Sequence, residues 1–170
     1  MLKKNLFYLI ILCLVTLLLP FAVKAWAEYT IKLSDWDLVD SGKHLDWDGT
    51  SAYISQFNYA VNQWESHKPG IIREDTLTTI EDVKISDKNE GDVGYAGTTY
   101  KSGKIIFNTY YMNNFNTSKK RNVAIHELGH ALGLDHRDGE SSSVMQSYVT
   151  SITTLCEGDR KNYDEAYKKY

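Results

Sequence analysis

The chain has 170 residues, enough for one domain with a proper core, and carries a formal net charge of −3. Acid outnumbers base and no basic amphipathic stripe occurs, which argues against nucleic acid as a partner. Two cysteines, Cys13 and Cys156, are too few for a disulfide framework.

The amino end reads as an export signal. Lys3 and Lys4 precede an apolar run over residues 6–19, followed by Pro20 and the small-residue site Ala25-Trp26-Ala27. Cleavage after Ala27 makes residues 1–27 a signal peptide and residues 28–170 a secreted domain. The alternative is an uncleaved membrane anchor, although the run is near the short limit for a span and ends in a cleavage site. Cys13 lies inside the run without a lipoprotein-type context. Removing Lys3, Lys4 and Lys24 leaves 16 basic residues against 22 acidic, a net −6 that suits a soluble extracellular monomer without membrane contact. Cys156 is then the only thiol, either free or paired with another chain.

Beyond the signal, residues 45–47 read as a first strand. Ile54, Phe57, Ala60, Val61 and Trp64 recur at three- and four-residue steps, which predicts a helix over residues 51–64 with Ser51 as its cap. Pro69-Gly70 breaks the chain, and Ile80, Val83 and Ile85 predict a strand over residues 78–85 with an irregular alternation. Residues 93–100 and 104–110, around Lys101-Ser102-Gly103, form an expected β-hairpin. Near the end, Tyr163, Ala166, Tyr167 and Tyr170 share one face of a closing helix over residues 159–170.

The chemistry is concentrated in His126-Glu127-Leu128-Gly129-His130-Ala131-Leu132-Gly133-Leu134-Asp135-His136. On a helix, positions i and i+4 share a face, so His126 and His130 can present imidazoles to one ion with Glu127 beside it. A catalytic zinc wants three protein ligands and an open fourth position, and His136 supplies the third if the chain leaves the helix at Gly133, where positive φ is easily adopted. Glu127 is the expected general base for peptide hydrolysis.

With the glycine and third histidine in register, the motif resembles that of the metzincin zinc endopeptidases, and most closely their matrixin branch. That resemblance implies an α+β zincin domain: a mixed twisted sheet with an antiparallel edge strand, an active-site helix and a C-terminal helix. Met145, in Ser143-Val144-Met145-Gln146-Ser147-Tyr148, is similar to the family's Met-turn beneath the zinc. The resemblance also implies that residues 94–100 form the edge strand that binds an extended polypeptide, with Tyr95, Ala96 and Gly97 along it, and that residues 143–152 wall the downstream specificity pocket, with Tyr148 a candidate contact. Arg137 departs from the small hydroxyl residue usual in matrixins, and no cysteine stands where an inhibitory propeptide would place one. One zinc is expected and no second, because His44 and His67 are isolated on polar segments. The acidic loop over residues 87–92 reads as a solvated turn, with calcium the alternative. Two other readings are a thermolysin-like enzyme using Glu140 or Glu157 as third ligand, and a secreted binding module that keeps zinc for stability alone.

Overall fold

The computed structural model describes residues 29–76 and 80–170, so the expected signal peptide and the start of the strand placed at Thr78 lie outside the described residues. Strand β1 (Leu45–Gly49) leads to helix α1 (Ile54–Glu65), then β2 (Ile72–Glu74), β3 (Val83–Lys88), β4 (Gly97–Tyr100) and β5 (Lys104–Asn108). Helices α2 (Thr109–Met112), α3 (Thr117–Ala131) and α4 (Glu157–Tyr167) complete the order. The five strands form one mixed sheet, β2-β1-β3-β5-β4, parallel except for β4, which pairs antiparallel with β5 and forms an edge. This is the α+β architecture expected from the matrixin resemblance.

Alternation selects which face of the sheet is covered. Leu45 and Trp47 of β1, Val83 and Ile85 of β3, and Ile105 and Phe107 of β5 are all buried. Trp47 meets Phe57 of α1 edge to face at 4.9 Å. The helical period in turn buries Phe57, Ala60 and Trp64, and the Trp64 Nε1 donates to the Ile125 carbonyl of α3 at 3.1 Å, seating the two helices against each other. Trp64 also packs edge to face on Tyr163 of α4 at 5.5 Å.

Several boundaries differ from the sequence reading. Ser51 does not cap α1, whose first turn follows Tyr53. Its hydroxyl instead accepts from Tyr53 N at 2.9 Å and donates to Asp87 at 2.6 Å, tying the helix entry to the end of β3. The strand placed at residues 78–85 is Val83–Lys88; Ile80 is 86% exposed, which accounts for the irregular alternation. Strand β2 was not foreseen. The Glu65 carboxylate accepts from Gly70, Ile71 and Ile72 N, turning the chain after Pro69-Gly70 so that Ile72 enters beside Leu45.

The hairpin is shorter than expected at both ends because of Asn108. This buried side chain accepts from Glu90 N and Tyr110 N and donates to the carbonyls of Gly91 and Tyr95, each at 3.0–3.1 Å. It thereby caps α2, where a strand was expected, and holds residues 91–95 in an irregular path before β4. The closing helix starts at Glu157 and stops at Tyr167. Tyr163 and Ala166 are buried, Tyr167 and Tyr170 half-buried, and Tyr170 donates to the Leu132 carbonyl. No helix among the described residues is long and apolar enough to cross a membrane.

Candidate metal centre

Helix α3 begins at Asn116, whose side chain accepts from Lys119 N at 3.0 Å, and delivers His126, Glu127 and His130 to one cleft. It ends as a Schellman turn: Leu134 N bonds Gly129 O and Gly133 N bonds His130 O, with Gly133 at φ +81°. The expected helix exit at Gly133 is therefore the observed one. His136 is then held from both sides. Asp135 N donates to Lys32 O at 3.1 Å, Leu33 bridges Leu134, and Arg137 N donates to Met145 O at 2.7 Å.

Ligand atoms of His126, His130 and His136 all lie within 4.8 Å of one another. His126 Nδ1 is 3.0 Å from Val144 O and His130 Nδ1 is 2.9 Å from Leu134 O, which assigns each N–H to Nδ1. Both Nε2 atoms then carry only lone pairs, yet they face each other at 3.0 Å. Two lone pairs at that separation repel unless a cation lies between them. The spacing is close to the roughly 3.3 Å edge of a tetrahedron with metal–nitrogen bonds of about 2.0–2.1 Å, so the residues present fit a zinc ion. Burial, reinforced by His130, holds the His126 imidazole down to about 3, and burial lowers His130 as well. Both are therefore neutral near pH 7, as zinc ligation would require.

Glu127, the next residue after His126 on the same helix, lines the same cleft. Burial raises its carboxyl to about 7, against which the Thr99 hydroxyl works by donating to Oε2 at 2.8 Å. A Cβ on Gly97 would lie 2.8 Å from Glu127 Oε1, so only glycine lets the edge strand approach the carboxylate this closely. A cleft of about 510 Å³ runs between residues 94–99 and the wall at residues 146–149, with the three histidines and Glu127 on its floor.

Tyr95, Ala96, Gly97 and Tyr148 all line this cleft, Tyr148 with 60% of its surface exposed. The carbonyls of Tyr95 and Ala96 are already taken by the side chain and backbone N–H of Asn108. Because hydrogen-bonded pairs alternate along an antiparallel ladder, the free edge belongs to the backbone of Gly97 and Thr99. Thr99 was missed by the sequence reading, since a threonine in a strand is ordinary.

Asn122 was also missed. Four residues before His126 on the same helix face, it is buried, donates to Ile152 O and accepts from Thr150 N, both at 2.8 Å, and so fixes the wall to the helix. Its i, i+4 relation to His126 was the available signal.

Met145 is fully buried, packed so closely on Gly129 that a Cβ there would fall 2.4 Å from its sulfur. Arg137 is a buried hub. It donates to Thr30 O at 2.7 Å and to Glu140, and lies 4.0 Å from the fully buried Asp159. Asp159 in turn accepts from Ser143 Oγ and Val144 N, holding the turn that carries Met145. Glu140 and Glu157 are thus engaged away from the histidines, Glu157 with Lys161. Cys156 caps α4 through its sulfur, and burial pushes its thiol up to about 12, which disfavours the thiolate needed for pairing.

His44 and His67, isolated on polar segments in the sequence, are half-buried, and His67 Nε2 lies 3.0 Å from Asp164. Asp87 binds the start of α1 and Asp92 accepts from Tyr111, so the acidic loop is held by its own contacts. A second group of ligand atoms within 4.8 Å comprises Asp40, Asp46 and Asp82, which the sequence reading did not foresee. Arg73 pairs with one of the three, Asp46, through two bonds at 2.7 and 2.8 Å.

A family model described as matrixin matches residues 35–168. The chain belongs to the matrixin family. Among solved structures, a chain of the "GM1 bound form of the ECX AB5 holotoxin" superposes with a TM-score of 0.53 at 16% identity, over 74% of this chain and 80% of that one. At that identity the likeness is one of fold alone. No curated protein sequence matches this matrixin significantly.

Proposed function

We propose that this matrixin is an exported zinc endopeptidase, released by cleavage after Ala27, that binds polypeptides in extended form and cuts them over Glu127. The carrying observation is that ligand atoms of three histidines lie within 4.8 Å of one another beside a buried carboxylate on the floor of the same open-edged cleft. His126, His130 and His136 would hold the zinc, whose chemistry there is to polarise the scissile carbonyl and acidify a water. Glu127 takes the proton of the attacking water and passes it to the departing amine. Burial raises its carboxyl in the metal-free protein, and a bound dication would draw it back toward the carboxylate that accepts the proton. Thr99 orients the carboxylate from behind, and the free backbone groups of Gly97 and Thr99 pair with the substrate main chain.

The test is incubation of residues 28–170 with a diverse peptide mixture, new termini being read by mass spectrometry. Cleavage stopped by a chelator, and absent in a Glu127→Ala variant of equal zinc content, supports the reading. A folded, zinc-loaded domain that cuts nothing would overturn it in favour of a binding module. N-terminal sequencing of the exported protein decides the cleavage site.

A further inference from the structure

The stripe of α3 that faces the cleft continues beyond the zinc ligands. At about 100° per residue, Lys119 projects between His126 and His130 and is flanked by Asn122 and Val123, which both line the cleft. It stands nearly two turns before the first ligand, in the middle of that stripe.

Its ammonium lies 5.4 Å over the Phe115 ring, Phe115 packs 6.3 Å from Tyr111, and the Tyr111 hydroxyl accepts from Gly94 N at 3.0 Å. Gly94 begins the edge segment of the cleft, whereas Gly97 and Thr99 lie over Glu127. Lys119 therefore marks the Gly94 end. A peptide added antiparallel to β4 runs from the Tyr100 end toward Gly94, so Lys119 meets residues after the scissile bond. Seven helical residues span about 10.5 Å, and an extended peptide advances about 3.3 Å per residue. The ammonium is thus poised about three residues downstream.

This cation is uncommitted. Lys88, Lys101, Lys161 and Lys168 each pair with a carboxylate, but among the described residues Lys119, Lys120 and Arg121 make no ion pair. Asp92, at the same end, accepts the Tyr111 hydroxyl instead. The first turn of α3 contains no acid, so its cations oppose the positive end of the helix dipole, a placement that costs stability. Arg121 projects to the far side and stacks 4.1 Å over Tyr59 of α1, while Lys120 lies 5.6 Å over Tyr53.

We propose that Lys119, aided by the field of Lys120, is a docking point for a substrate carboxylate, so that the enzyme prefers polypeptides bearing Asp or Glu about three residues after the cut. This deepens, and rests on, the endopeptidase reading. The experiment uses two quenched fluorescent peptides that differ only by Glu or Gln at that downstream position. Values of kcat/KM are compared at low and high salt for the wild type and for the K119Q, K119E and R121Q variants. Binding of the same peptides to zinc-loaded E127Q, with and without K119E, is read by fluorescence anisotropy, which needs no turnover.

An exposed ion pair predicts a roughly two- to fivefold preference for the Glu peptide at low salt, fading at high salt. K119Q erases it, K119E inverts it and R121Q retains it. A preference that is absent from the wild type, or that survives K119E, overturns the proposal. If no peptide is cleaved, the endopeptidase reading fails on its own, and the anisotropy preference alone decides whether Lys119 binds the carboxylate.

Discussion

Replacing Glu127 by Gln should change the pH dependence of stability in the metal-free protein, in a direction opposite to that of an ordinary carboxylate. Burial raises the folded-state carboxyl from 4.5 to about 7, so below pH 4.5 the group is protonated in both states and its burial costs nothing electrostatic. As pH rises from there, the unfolded chain releases the proton first, and stability is lost until pH passes about 7. At about 1.4 kcal/mol per tenfold, the full effect is capped near 3 kcal/mol, and between pH 5 and pH 7.5 it amounts to roughly 2 kcal/mol.

The lowered histidines work against this slope, since they gain stability as pH rises toward 6.5. The difference between wild type and E127Q removes them. Urea unfolding with chelator present, at pH 5 and pH 7.5, should therefore show E127Q gaining about 2 kcal/mol on the wild type at the higher pH. With zinc bound, the dication favours the carboxylate and the gap should shrink. Parallel pH profiles for the two metal-free proteins would refute the claim that burial governs Glu127.

Two further substitutions probe what surrounds the centre. Gly129→Ala adds a helix-favouring residue worth about 1 kcal/mol, but its Cβ would lie 2.4 Å from Met145 sulfur and 3.0 Å from the Trp64 ring. Because both neighbours are fully buried, overpacking of about 1–3 kcal/mol should win. A thermal melt at or above the wild-type midpoint would contradict this. Arg137→Met leaves Asp159 and Glu140 without their guanidinium, and for a pair buried this deeply the cost should be about 3 kcal/mol in urea unfolding. Zinc should also leave faster when measured with a colorimetric chelator, because Arg137 follows His136. A loss under about 1 kcal/mol would show that the hub is replaceable.

Local physics made the centre legible from sequence. The i, i+4 spacing of His126 and His130, the need for positive φ at Gly133, and the three-to-four-residue recurrence of Phe57, Ala60 and Trp64 are properties of a helix and its termination, which adjacent residues dictate between themselves. So is the hairpin at Lys101-Ser102-Gly103. Each survived with shifts at its ends, because where an element stops depends on partners that are distant in sequence. Asn108 ended β5 by reaching residues 90–95, and Glu65 made β2 by gathering three amide groups after the break.

Only the tertiary structure decided what surrounds the three histidines. Thr99 became a partner of Glu127 because β4 lies across α3, and Asn122 became the tie to the downstream wall because residues 150–152 return beside it. Arg137, a departure from the family pattern when read as a letter, proved to be buried between Thr30, Glu140 and Asp159, segments that meet only when the chain has closed. Hydrogen-bond partners over such separations leave no period in the sequence. The three histidines are written into one helix and its exit, but their environment is a consequence of packing.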